Sequence, residues 1–448
     1  MEDTIAAIAT SLGVGAISII RVSGPEAIKI VNNIFKGKDL TKQKTHTITY
    51  GHIIENDKII DEVLISIMKS PKSFTTEDTV EINCHGGIST TNKVLELLLN
   101  NGCRLAAPGE FTKRAFLNGR IDLIEAEGVM DLINSKTEKA RNLAINQLSG
   151  TSSELIKKLR KEIVEILANI EVNIDYPEYD DIAVLSTQII KPQITNIIKE
   201  LKEIIDHSEN TKIIKDGIDV LILGRPNVGK SSLLNRLLEE DKAIVTDIEG
   251  TTRDIVEGKI NLDGIILNII DTAGIRQTED VVEKIGVKKS LSLIDKADLV
   301  LFLLNNNEDI TPEDKNIINQ LKNKNHIIVI NKCDLTKKLD LNDNDCVYIS
   351  AKENIGIDDL KNKIKELYNL EKIETEDLSY LSSARSISLL KQAMQSLKNA
   401  DKGIDDNYPI DMVEIDIKDS WNILGEIIGE TYEEELIDQL FSQFCLGK

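Results

Sequence analysis

The chain has 448 residues, a net charge of −21 and an isoelectric point near 4.8. That length fits about three domains, and the acidic balance excludes the dense basic surface of a protein that grips nucleic acid unaided. The scattered cysteines (Cys84, Cys103, Cys333, Cys346, Cys445) have no C-x-x-C and no paired spacing, which excludes a disulfide framework or zinc site and fits a reducing cytosol. No apolar run approaches the ~18 residues of a membrane span. The N-terminus is acidic (Glu2, Asp3), so a cytoplasmic chain without a leader or membrane contact is expected.

Residues 1–118 read as a small α/β domain, with strands at Ala16–Val22, Val63–Met68 and Thr79–Asn83 and a helix near Ser89–Asn101. Gly13, Gly15 and Gly24 flank the first strand without a following Gly-Lys-Ser, so they read as turn glycines. By alternation alone, Glu81 falls on a solvent face. From about 119 the period turns helical, with stripes at Leu155, Leu159, Ile163, Ile166, Ile170, Ile174 and at Ile190, Ile194, Ile197, Leu201, Ile204, Ile205. An acidic break, Asp175–Asp181, holding Pro177, parts them. Lys157, Lys158, Arg160 and Lys161 read as a solvated helix face.

The segment GRPNVGKSS (224–232) lies between the apolar strand Asp219–Gly224 and a helix opened by Leu233, Leu234 and Leu237. This is a G-x-x-x-x-G-K-S phosphate cradle in its proper strand–loop–helix setting. Asn227, Val228, Gly229, Lys230, Ser231 and Ser232 line it; Lys230 would reach the β- and γ-phosphates and Ser231 would hold Mg²⁺. A switch segment follows, Thr246, Asp247, Ile248, Glu249, Gly250, Thr251, Thr252, with Thr252 as a second Mg²⁺ ligand. Next comes a strand delivering Asp271, Thr272, Ala273 and Gly274, an Asp for Mg²⁺ through water and a Gly N–H for the γ-phosphate.

The strand beginning at His326 delivers Asn331, Lys332 and Asp334. Asp334 can accept from guanine N1–H and its exocyclic amine, whereas adenine would leave that carboxylate unpaired. Ser350, Ala351 and Lys352 supply a backbone contact to guanine O6. Four such segments in order, each at the end of an apolar strand, read as a GTP site. Ile275 follows Gly274 where small regulatory GTPases carry a water-orienting Gln, so another group must serve. Asn227 could ligate a monovalent cation with switch carbonyls, and Glu283 could position water. A second helical region fills 374–448, which makes the simplest architecture one helical domain split by an inserted P-loop GTPase α/β domain.

Beyond the generic segments stand GAISIIRVSG (15–24), EINCHGG (81–87), PGEFTKRAFLNGRIDLIEAE (108–127), VTDIEGTTRD (245–254) and the terminal FCLGK (444–448). With the inserted G domain, they resemble the MnmE (TrmE) family of tRNA-modification GTPases over essentially the whole chain. The resemblance implies a multidomain α/β plus α fold: a folate-binding, dimerising domain at 1–118, helical parts at 119–212 and 374–448, and a G domain at 213–373. It implies a homodimer whose G domains meet when GTP and K⁺ are bound. It also implies a heterotetramer with FAD-containing MnmG (GidA) that adds a carboxymethylaminomethyl or aminomethyl group to C5 of wobble uridine U34 in certain tRNAs.

By the same resemblance Asn227, Thr246, Ile248 and Thr251 become K⁺ ligands, Ser231 and Thr252 Mg²⁺ ligands, Glu283 the water-orienting residue, and Arg276 an aid to switch reorganisation. For 5,10-methylene- or 5-formyl-tetrahydrofolate it points to Arg21, Glu81, Arg120 and Lys448. A carboxylate suits the pterin donor pair, and cations suit the glutamyl tail. Arg120 stands where some relatives carry Lys, which keeps charge but not geometry. Cys445 has either a chemical or a packing role. With an acidic chain, the MnmG partner is expected to supply most contact to tRNA phosphates. Two other readings stay open: a regulatory ribosome-assembly GTPase of the Era or Der type, and a folate-dependent transferase that acts independently of GTP.

Overall fold

The computed structural model describes residues 3–175, 189–240, 256–270, 293–339, 341, 346–370, 378–432 and 434–448. They pack as two compact units, one of Met1–Met130, Leu148–Gln193 and Gln395–Lys448, the other of Asp131–Gln147 and Ile194–Met394. The strands are β1 (Ile5–Ile8), β2 (Ile17–Ser23), β3 (Phe35–Gly37), β4 (Thr47–Glu55), β5 (Lys58–Met68), β6 (Thr79–His85), β7 (Arg104–Leu105), β8 (Ile218–Gly224), β9 (Val256–Leu262), β10 (Ile265–Ile270), β11 (Leu299–Asn305), β12 (His326–Asn331) and β13 (Cys346–Tyr348). The main helices are α1 (Ala27–Asn33), α2 (Ile88–Asn100), α3 (Glu110–Leu117), α4 (Leu123–Asn134), α5 (Glu138–Leu148), α6 (Thr151–Asp175), α7 (Lys191–Asp216), α8 (Lys230–Glu240), α9 (Pro312–Leu321), α10 (Ile357–Leu367), α11 (Ala384–Asp405), α12 (Ile410–Ile428) and α13 (Glu434–Ser442).

The first unit is built on a sheet in the order β3-β4-β5-β6-β2-β1-β7, antiparallel except where β7 joins β1. Alternation along β5 sends Asp61, Val63, Ile65 and Ile67 inward, where α1 and α2 close a core with Ile20, Val22, Ile82, Val94 and Leu98. The opposite face leaves Ile48, Tyr50 and Leu64 exposed. Around β1 it carries a small second core of Ile5, Ala7, Ala106 and Phe111, with Phe74 packed against it. The strand at 63–68 extends back to Lys58 because Asn56 and Asp57, both left-handed (φ 46° and 69°), turn β4 directly into β5, and the inward, polar Asp61 is satisfied by His85 and by Glu62 N–H.

Among the helices of this unit, α12 packs along α6. The α6 stripe turns slightly from the expected one: Ile156 is fully buried with Leu159, Ile163, Ile166 and Ile170, while Leu155 is half-buried. Spacings of 3 and 4 from Ile156 keep one face inward. Arg160 corrects the expectation of a solvated face. It is buried, with its guanidinium 4.2 Å from the Trp421 ring and paired with Glu430. Lys157 and Lys158 do stay at the surface, paired with Asp122, Glu154 and Glu162. The side chain of Ile174 and the break holding Pro177 lie outside the described residues.

The second unit holds a sheet in the order β13-β12-β11-β8-β10-β9, parallel apart from the β9–β10 hairpin. It is covered on both faces, so β8 and β11 read as near-continuous apolar runs. Val220, Ile222, Leu301 and Leu303 pack with Leu233 and Leu237 of α8 and Leu360 and Ile364 of α10. Leu221, Leu223, Val300 and Phe302 pack with Leu321 of α9 on the other side. This leaves loops at the carboxyl ends of β8 and β12 to bind a ligand. Among the described residues no helix is long and apolar enough to cross a membrane, and no cluster of His, Cys, Asp or Glu could hold a metal by itself.

Candidate nucleotide site and a second polar site

Between β8 and α8 the backbone turns left-handed at Asn227 (φ 64°) and Gly229 (φ 100°). A Cβ on Gly229 would lie 2.2 Å from Asn331 Nδ2, so the close approach of the two loops requires glycine. Lys230 Nζ donates to the carbonyls of Gly224 at 2.6 Å and Arg225 at 3.0 Å. Burial holds its pKa below the ordinary lysine value. A phosphate anion is the partner that would reverse that shift. Ser231 and Ser232 are exposed in the first turn of α8.

Asn331 ties the phosphate side to the base side. Its Nδ2 donates to Val228 O at 2.8 Å, while Oδ1 accepts from Lys332 N at 2.8 Å and Ala351 N at 3.1 Å. Of the segment Ser350, Ala351 and Lys352, expected to give a backbone contact to guanine O6, the Ala351 N–H is thus engaged by Asn331 in this structure. Lys332, at φ 64°, donates from Nζ to Asn227 O at 2.9 Å. A hydrogen bond from Ser350, helped by Lys352 and Lys332, holds the Asp334 carboxyl below the usual carboxylate range. An ionised, exposed carboxylate at that place suits a pair of N–H donors.

Thr246, Asp247, Ile248, Glu249, Gly250, Thr251, Thr252, Asp271, Thr272, Ala273, Gly274, Arg276 and Glu283 lie outside the described residues.

The first unit carries the second site. Arg21 and Glu81 face each other on β2 and β6, with Arg21 Nε donating to Glu81 Oε1 at 2.9 Å and Nη2 2.8 Å from the same oxygen. Glu81 is therefore paired and not simply solvated. Arg21 Nη1 also donates to Gly447 O at 3.1 Å, and the guanidinium stands 5.7 Å from the Phe111 ring. The terminal segment is laid against this spot by backbone bonds, Gly109 N to Cys445 O at 3.3 Å and Phe111 N to Lys448 O at 3.2 Å. Gly447 (φ 85°) passes so close to β1 that a Cβ would sit 2.4 Å from Ile8 O.

Arg120 joins more remotely: it donates to Ser73 O at 2.9 Å and stacks 5.0 Å from Phe74, which packs on the Phe111 cluster. Cys445 is exposed. The sequence reading missed Phe111, Phe74 and the Gly447 carbonyl, whose roles come from packing and backbone. The only local sign was PGEF, a turn before a helix.

The family described as MnmE helical domain matches residues 123–445, and the family GTP-binding protein TrmE N-terminus matches residues 4–120. Curated proteins called tRNA modification GTPase MnmE from Bacillus cytotoxicus and Bacillus mycoides are each 53% identical over 455 aligned residues, covering 100% of this chain and 99% of theirs. The G domain of the T. maritima FeoB iron transporter is 30% identical and covers 34% of this chain and 98% of its own, at a TM-score of 0.25. With relatives that match it end to end, the chain belongs to the MnmE family of tRNA modification GTPases.

Proposed function

We propose that this GTPase of tRNA modification hydrolyses GTP as a K⁺-stimulated, Mg²⁺-dependent homodimer. In this reading it works with an FAD-containing MnmG partner and a tetrahydrofolate one-carbon donor to place an aminomethyl-type group on C5 of U34. The domain division set out from the sequence belongs to the same proposal. The observation that carries the GTPase half is the braced phosphate loop. Lys230 is held on two carbonyls, Asn227 is exposed at a left-handed turn, and Asn331 and Lys332 bind the loop's own carbonyls. Lys230 would exchange its carbonyl partners for phosphate oxygens, and Asp334 would accept from the base. Asn227 and Ser231 fit as oxygen ligands for K⁺ and Mg²⁺. A monovalent cation beside Asn227 would supply the charge that an arginine finger supplies in other GTPases, a factor of roughly 10³–10⁵.

For the folate half, the Arg21–Glu81 pair offers both recognition charges in one place. Glu81 suits a pterin amide and amine, Arg21 and Arg120 suit carboxylates, and the Phe111 and Phe74 rings flank them. The full-length relatives favour this over an Era- or Der-type role. The test compares GTP turnover in K⁺ and in Na⁺ at several protein concentrations. Turnover should be faster in K⁺, rise per molecule with concentration, and lose the K⁺ effect in Asn227→Ala. Equal rates in the two salts would overturn the cation assignment.

A further inference from the structure

Arg225 lies in the phosphate loop, yet its guanidinium is engaged away from Lys230. Nε is 3.2 Å from Asp314 Oδ2, and Nη2 is 3.2 Å from Glu308 Oε2. The Asp314 contact is ionic, without an aligned hydrogen bond from Nε. Asp314 is fully buried and closes the capping box of α9, accepting from Thr311 N at 2.9 Å and Thr311 Oγ1 at 2.8 Å. Glu308 accepts from Asn305 Nδ2. The Arg225 carbonyl is itself one of the two that hold Lys230.

The same segment reaches the base side. Asn306, 3% exposed, donates from its backbone N to Asn331 O at 2.9 Å and from Nδ2 to Leu335 O at 3.0 Å. Its own carbonyl accepts from Lys338 N at 2.9 Å and Leu339 N at 3.1 Å. Asn331 then returns to the phosphate loop at Val228. A closed circuit results, from Arg225 through Glu308 and Asp314 to Asn305 and Asn306, and back through Asn331.

We propose that the connection Asn305–Asp314 is a brace that sets the spacing between the phosphate loop and the guanine loop, with Arg225 and Asn306 as its positioning residues. A nucleotide must be gripped at both ends at once, so a small error in that spacing weakens binding. Removing Arg225 also leaves Asp314 as a buried charge without its cation.

The inference rests on the nucleotide reading, and wild-type binding of GDP tests that reading separately. The experiment measures binding of a fluorescent GDP together with steady-state GTP turnover. Arg225→Ala should bind GDP about tenfold more weakly, the loss of a charge-assisted contact. KM should rise while kcat at saturating GTP stays within about threefold, as for a uniform binding effect. Arg225→Lys should recover part of the affinity, because charge remains and the fork is lost. Arg225→Ala and Asn306→Ala should be non-additive in a double-mutant cycle. Should Arg225→Ala fail to fold, Glu308→Gln, at a half-exposed residue, carries the test with about a threefold loss. Wild-type GDP affinity in Arg225→Ala or Glu308→Gln, a fall in kcat at unchanged KM, or strict additivity would each overturn the brace.

Discussion

The two polar sites of this chain are assembled in opposite ways. The nucleotide site grows from one contiguous loop per strand of a parallel sheet covered on both faces, so each short segment carries its own backbone geometry. The Arg21–Glu81 site grows from cross-strand register on an antiparallel sheet with one open face. It needs residues from β2, β6, the start of α3 and Gly447 at once. The first can be read from local spacing, whereas the second exists only once distant strands have paired. Recognition by backbone amides is local; recognition by paired side chains is a property of register.

The largest effect should come from Lys230→Ala. If the phosphate site works through the lysine now held on Gly224 and Arg225, GTP turnover should fall by roughly 10²–10³-fold with melting temperature little changed. Turnover near wild type would break the local half of the comparison. In the first unit, Arg114 is fully buried, pairs with Asp3, Glu77 and Glu110, and so ties down α3, the helix that carries Phe111. Arg114→Ala should cost about 3 kcal/mol in urea unfolding, because it empties a fully buried position and leaves Glu77 without its cation, while Arg104 still pairs with Asp3 and Glu110. A loss below about 1 kcal/mol would show that the site does not depend on this network.

Glu81→Gln separates recognition from scaffold. The Arg21–Glu81 pair is partly exposed, so stability should change by no more than about 1 kcal/mol. Affinity for 5-formyl-tetrahydrofolate should drop about tenfold or more if the carboxylate reads the pterin. Unchanged affinity by calorimetry removes the second site as a folate site.

The smallest effect concerns His85, whose pKa is raised by its hydrogen bond and charge contact with Asp61. A raised folded pKa means the imidazolium stabilises the first unit fully below its unfolded value of about 6.5, and this is lost as pH rises through the higher folded value. An NMR titration should place His85 above free histidine in the wild type and near it in Asp61→Asn. Identical titrations would discard the pair.

In this light the limits of sequence reading are physical. The Gly-Lys-Ser loop after β8, the loop after β12 and the strands behind them were legible as elements because continuous apolar runs and glycine spacing encode them directly. Strands β1, β3, β4 and β7 were not, being short or rich in Thr, His and Gly, with burial decided by neighbouring strands. Arg160 looked like one more surface cation until Trp421 and Glu430 covered it.

Neighbours a few residues apart were enough to read an α/β sheet with a Gly-Lys-Ser loop and apolar helical stripes before and after it in the chain. Long-range packing pairs Glu81 with Arg21, lays Gly447 on β1 and engages Arg225 with Glu308 and Asp314. Those contacts join residues far apart in the chain, and their energy depends on burial and on a partner's exact distance, neither of which a linear order of side chains contains.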